Sequence, residues 1–470
     1  VKNPTARSFA ERFGYGPFFV VTVLPVLLLF VGILPHFSEL TAGGRLFDLG
    51  REIQLLARTL LYATGVALTV CLAGFLTAIY ILGPGQRQIR RLSVLLLVAL
   101  TIPSCVHAMG WLKWLTVLRR IGLPGVTGRG WLVSWLVQSM ALLPLGLLII
   151  AGGVLVQDRE QFLAARLLGP DNRFLWRLLP GLLRPQLLTA GAIVWILTLN
   201  DYAIPSIFSV NTYAIEVFVE YSSSGSLART VVKSLPLVLL QTGVLTFVLG
   251  QIPQIFLSGR LQDFSTIRFH FPRPTAALAA LGPVLAVLQA AIPLSVIFLS
   301  QAMWQQLLPT LAQSLPDYAG SLAICALAIV IGSPLAFWAA RWIQARGVSR
   351  PALFGVIFPA ALPGTLTGVA LIHLFNHPET NGLYNSLLLP ALAVLGRFLP
   401  FAALLMLAWL KRTDRQLIQA AQLLEPRERR TTWHILLPLL APGIIMGASL
   451  IFLLGIGELF FRIRIGINQN

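Results

Sequence analysis

Charge is what this chain has least of. Charged residues make up 11% of its 470 positions, against roughly 25% in soluble domains. A water-facing surface could not be covered from so small a stock, whereas a lipid-facing one needs none. Lysine is scarcest: Lys2, Lys113, Lys233 and Lys411 are the full set, and none follows a glycine. The GxxxxGK[ST] loop that cradles nucleotide phosphates is therefore absent, and the chain is not an ATPase of that type. Cys71, Cys105 and Cys325 all lie inside apolar runs without CxxC spacing, which suggests neither a disulfide framework nor a zinc site. No Ser/His/Asp set or carboxylate pair stands out among so few ionisable groups, so the chain is not expected to be an enzyme. An ion-gradient transporter, the alternative reading, calls for carboxylates in mid-span, and these are nearly missing.

What is there is apolar: 56% hydrophobic residues and a mean hydropathy of +0.80. Eleven runs approach the ~20 residues a helical span needs: 17–35, 58–82, 92–112, 131–153, 187–208, 232–255, 277–300, 318–341, 352–375, 387–410 and 443–461. They are too long for barrel strands and lack their alternation. The first follows Lys2, Arg7 and Arg12 with no A-x-A-like cleavage site after it, so it is expected to be a retained span. With the N-terminus inside, the inner segments carry 23 Lys and Arg and the outer ones 11, with Arg397 within a span. That bias favours a cytoplasmic N-terminus. It also accounts for the net charge of +18 without any nucleic-acid partner.

The chain repeats over about half its length. "LAARLLG" (163–169) faces "QAAQLLE" (419–425), and "LLP" (178–180) faces "LLP" (436–438). The following runs are also alike, "LLTAGAIVWILTLND" (187–201) and "IIMGASLIFLLGIGE" (444–458), each closing on an acid, Asp201 or Glu458. The expected organisation is a first repeat 1–255 of six spans, a basic linker 256–276 and a second repeat 277–470 of five. By symmetry a twelfth span would complete the second. Two such repeats enter the membrane in the same direction, as in transporters built from parallel bundles.

Each loop copy reads as a short exposed helix at the cytoplasmic face. Leu163, Leu167 and Leu168 share one side for packing. Ala164 and Ala165 let another surface come close to the backbone. Gly169 allows a turn that a Cβ would resist, and Pro180 or Pro185 resets the chain before the next span.

These residues resemble the EAA loop of the permease subunits of ABC importers, Glu-Ala-Ala, three residues, Gly, nine residues, Ile-x-Leu-Pro. Ala420, Ala421, Ile435, Leu437 and Pro438 fall in register, with Gln419 and Glu425 in place of Glu and Gly. The first copy keeps Ala164, Ala165 and Gly169, has Leu163 for Glu, and reaches Leu179–Pro180 two residues early. The wider chain is similar to the fused, double-length ferric-iron permeases, with thiamine permeases close by. The matching stretches are "TIPSCVHA" (101–108), "DYAIPSIFSVNTYAIEVFVEYSS" (201–223), "ALPGTLTGVAL" (361–371) and "GRFLPFA" (396–402). The resemblance implies an all-α polytopic protein of two tandem homologous bundles in a bacterial cytoplasmic (inner) membrane. Each loop would seat one of two separate ATP-binding cassette subunits. ATP would be bound only by these partners, and the chain would need no cofactor of its own. A periplasmic or lipid-anchored binding protein would deliver substrate, ferric iron by this resemblance, with thiamine, polyamine or phosphonate as alternatives.

Three further sets of residues are candidates. Asp201 and Glu458 would line an outer gate for a cationic solute, or sit wet at the interface; intramembrane ionisable groups are costly and point to function by default. Arg397 in "GRFLP" would pair with an acid or with helix carbonyls. His373 and His377 have the i, i+4 spacing of a metal pair, with Glu379 beyond, but Pro378 ends the helix there and no metal site is expected.

Overall fold

The computed structural model describes residues 15–32, 49–83, 88–122, 128–157, 159–167, 170–252, 269, 271–299, 301–412 and 437–466. Among them every regular element is helical. Seven helices are long and apolar enough to cross a membrane: Gly50–Leu82, Trp131–Leu155, Leu227–Val248, Arg273–Val296, Leu311–Ala345, Leu388–Lys411 and Pro438–Gly457. Three more pairs reach that length only together. Arg91–Ala99 and Ser104–Arg120 are bent by 96°, Phe174–Leu182 and Arg184–Asn200 by 66°, and Arg350–Ala361 and Gly364–Phe375 by 86°. The run expected at 17–35 forms two short helices, Gly16–Thr22 and Leu24–Gly32.

The runs 92–112 and 352–375 are thus broken where straight spans were expected. Prolines stand at both breaks. Pro103 (φ −60°, ψ 149°) and Pro363 (φ −55°, ψ 131°) are extended and cap the helix that follows. A proline ring disfavours the helical conformation in the residue before it, and Leu362 is extended as well (ψ 135°). The two breaks occupy matching places in the sequence repeat.

Contacts gather the chain into two compact units that are not the two sequence halves. One is Phe47–Ser223 with Ser258–Pro316; the other is Val1–Leu46, Ser224–Leu257 and Asp317–Asn470. The Arg273–Leu299 helix thus belongs with first-repeat helices. The helices before residue 33 and the Leu227–Val248 helix belong with second-repeat ones.

In the unit containing Phe47–Ser223, the Leu49–Leu82 helix is central. It packs against Trp131–Val156, Arg184–Asn200 and Arg273–Leu299. Glycines allow the close approaches. A Cβ built on Gly282 would lie 2.7 Å from the Ala73 carbonyl oxygen, and one on Gly74 would meet Ile150. Leu61, Leu68 and Leu72 occupy one outward stripe of the central helix at 74%, 66% and 59% exposure, a surface suited to hydrocarbon. At its N-terminal end Arg51 donates to both oxygens of Glu216 at 3.1 Å, and the Thr59 hydroxyl accepts from the Tyr213 amide at 3.0 Å.

In the other unit, Leu388–Arg412 lies along Leu437–Gly466, and Gly364–Phe375 lies on Leu24–Gly32. The Tyr15 hydroxyl donates to the Gly355 carbonyl at 2.9 Å, and its ring stacks on Trp342 at 4.5 Å.

Candidate functional site

The first loop copy folds into a nine-residue helix, Arg159–Leu167. Nine residues are too few to hold a helix in water unaided, so packing has to supply the stability. Phe162 does this. It is fully buried, edge-on to Phe174 at 5.7 Å and to Phe269 at 6.4 Å. Phe174 and Phe269 stack at 4.9 Å, and Phe271 follows at 6.1 Å from Phe269. The Phe269 amide donates to the Leu82 carbonyl at 3.4 Å, so this aromatic seat is tied to the C-terminal end of the central helix. A Cβ on Gly83 would press into the Phe271 ring, which is why the chain approaches the seat there through a glycine.

With Phe162 inward, the outward stripe is Glu160, Ala164 and Leu167, spaced i, i+4, i+7 and all exposed. Leu167 is 88% exposed. The expectation that Leu163 and Leu167 share a packing side is corrected: Leu163 is half-buried against the core, while Leu167 points away. Phe162, as the larger apolar group, takes the buried position and turns the last residue outward. Ala164 is exposed, and Ala165 lies in the same helix. Gly169 lies outside the described residues.

Beyond the helix the chain makes a helical turn, Asp171–Arg173, and then a five-residue π-turn, Phe174–Leu178. Such widened turns often mark functional sites. Arg173, Trp176 and Arg177 are exposed along it. Pro180 lies in the short helix Leu179–Leu182, and Pro185 opens the Arg184–Asn200 helix after the bend at Leu183. The result is a small platform whose outward face carries Glu160, Ala164 and Leu167, with Arg173 and Arg177 exposed beyond it.

Of the second loop copy, Gln419, Ala420, Ala421 and Glu425 lie outside the described residues. Leu437 opens the last helix, and Pro438 is exposed. Glu458 lies within that helix. Asp201 does not lie within a span: the helix ends at Asn200, and Asp201 is its extended C-cap. Its Oδ2 accepts from Gln138 Nε2 at 3.0 Å, and its Oδ1 accepts from the Ala203 amide at 2.8 Å. Arg397 lies against the second broken span, with Nη1 3.1 Å from where a Gly364 Cβ would stand, close to that segment's backbone. The His373 and His377 rings are 6.2 Å apart and edge-on, and His377 falls just past the helix end. No group of three metal-ligating side chains occurs among the described residues.

Sequence reasoning passed over the aromatic seat. Nothing in the spacing of "RFHFP" (268–272), within the basic linker, links Phe269 to Phe162 more than a hundred residues earlier.

The helices, their bends and their apolar outer faces define the class: the chain is an all-helical, multi-pass membrane protein. No family model matches it, and neither a curated protein nor a solved structure matches at a significant level.

Proposed function

We propose that the chain is the membrane-spanning permease of an ATP-driven solute importer in a bacterial cytoplasmic membrane, with its N-terminus inside. It forms the pathway and takes its motion from two separate ATP-binding cassette subunits. They engage the loops Leu163–Pro180 and Gln419–Pro438. A solute-binding protein supplies cargo on the outer side, and ferric iron is the cargo that the sequence resemblance favours. Closure of the ATP-bound cassettes draws the two loops together and switches the pathway between inward and outward access.

The observation that carries this reading is the Arg159–Leu167 helix. It is held from below by a buried phenylalanine and offers Ala164 and Leu167 outward. An exposed leucine beside a small alanine on a short helix anchored from below suits a docking partner, and the rigid seat beneath it would let force pass into the bundle.

The test is Leu167→Asp in the full chain, co-expressed with cassette ATPase subunits from its own host. The expected result is loss of ATPase co-purification and at least a tenfold fall in ATP-dependent uptake, with the chain still inserted and monodisperse. Uptake that follows an ion gradient and ignores both the substitution and the ATPase would replace this reading with the secondary-transporter one.

A further inference from the structure

The first broken span bends beside a set of buried polar atoms that the fold leaves without hydrogen-bond partners. Seven such atoms come from five side chains: both ring nitrogens of His107, Nε1 of Trp111 and Trp135, Oε1 of Gln138, and both amide atoms of Gln289. His107, Gln138 and Gln289 are fully buried. All five belong to the unit containing Phe47–Ser223 and Ser258–Pro316.

Packing brings them into one neighbourhood. A Cβ on Gly110 would lie 2.6 Å from the Pro293 Cα, and Trp114 Nε1 donates to Ser295 Oγ at 2.7 Å. These two contacts follow the same chain direction along the Ser104–Arg120 and Arg273–Leu299 helices. One turn back on each helix, toward the break at Pro103, are His107 and Gln289. Trp111 and Trp135 both pack on the core cluster to which Ala286 also belongs, and Trp135 Nε1 lies 3.1 Å from where a Gly65 Cβ would stand on the central helix. Gln138 is one turn beyond Trp135. Its Nε2 is engaged by Asp201, which fixes the amide so that Oε1 is the atom left over.

Buried polar groups without partners oppose folding, and native proteins keep few of them. Their concentration at one place calls for a ligand. The leftover atoms are indole N–H, carboxamide and imidazole, with no carboxylate, guanidinium or ammonium among them. They offer donors and acceptors together. Gly/Pro-interrupted spans in corresponding positions of two repeats are also where transporters of other folds build their solute sites.

We infer that the bend at Pro103 is a binding site for a small uncharged polar molecule, held by His107, Gln289, Gln138 and the two indoles. Binding there does not rest on the permease reading, and the molecule is distinct from the ferric-iron cargo which that reading favours.

The test uses the full chain in lipid nanodiscs without any ATPase. Acetamide serves as the neutral probe, with acetate and methylammonium as charged analogues, and saturation-transfer NMR reads binding. Acetamide is expected to bind saturably and the charged analogues not. Gln289→Leu is expected to weaken acetamide at least tenfold while raising the thermal midpoint, because an unpaired buried amide is replaced by an apolar group of similar size. Trp135→Phe keeps ring volume, removes one donor, and is expected to weaken the probe severalfold. Equal acetamide binding by wild type and both variants overturns the proposal. So does a lowered midpoint in Gln289→Leu with no probe binding to wild type, which would mark a structural hydrogen-bond network filled by water. Leu167→Asp is expected to leave acetamide binding unchanged, so failure of docking and failure of this site are read separately.

Discussion

Phe162→Ala tests whether the short helix is a rigid lever or a loose loop. Phe162 is fully buried and touches two other rings, at 5.7 Å and 6.4 Å. Truncating a buried phenylalanine costs about 3–5 kcal/mol, and each ring pair accounts for about 0.5–1.5 kcal/mol beyond its buried area. A nine-residue helix has no reserve of its own against such a loss. The cost therefore falls on local opening rather than on the bundle. Since about 1.4 kcal/mol is a factor of ten, amides of the 159–167 segment should exchange with deuterium about a hundredfold faster or more, up to the free-peptide limit. The Trp131–Val156 helix should keep its protection. Phe162→Leu, which retains an apolar anchor, should fall in between. Hydrogen exchange by mass spectrometry on the reconstituted chain reads all three. Unchanged exchange in the 159–167 segment would refute the reasoning, because Phe162 would not then hold the helix. Equal acceleration in the 131–156 helix would refute it too, because the seat would then be part of the global core and not a local clamp.

Two further predictions follow from particular contacts. Gly282→Ala drives a methyl group to 2.7 Å from backbone atoms of Ala73 and Thr77; this overpacking should cost about 1–3 kcal/mol. Gly152→Ala, with nothing within 4 Å, should unfold in detergent at or above the wild-type temperature. Tyr213 is buried, which pushes its hydroxyl above the ordinary tyrosine range, and the Glu52 and Glu216 carboxylates push it the same way. The folded state thus holds this proton more tightly than the unfolded one. Stability should then be full below about pH 10 and decline as pH rises beyond it. Tyr213→Phe should lessen that alkaline slope in thermal unfolding, and an identical slope in the variant would refute the assignment.

The spans were legible in the sequence because a bilayer demands long apolar runs and leaves their edges marked by arginine. Their bends were less so. Pro103 and Pro363 break their helices, whereas Pro144, Pro236 and Pro400 lie inside continuous ones. A proline removes one donor wherever it falls; whether the helix continues depends on what stands next to the freed carbonyl, and that is tertiary information. The platform divides in the same way. Ala164 announced an approachable surface through its size alone. The seat did not announce itself, because Phe162, Phe174 and Phe269 are joined only by the fold, and a phenylalanine in an oily chain carries no signal of its own. Local chemistry thus marked the small, exposed residue of the helix, while the seat that anchors it is visible only once Phe269 is stacked beneath it.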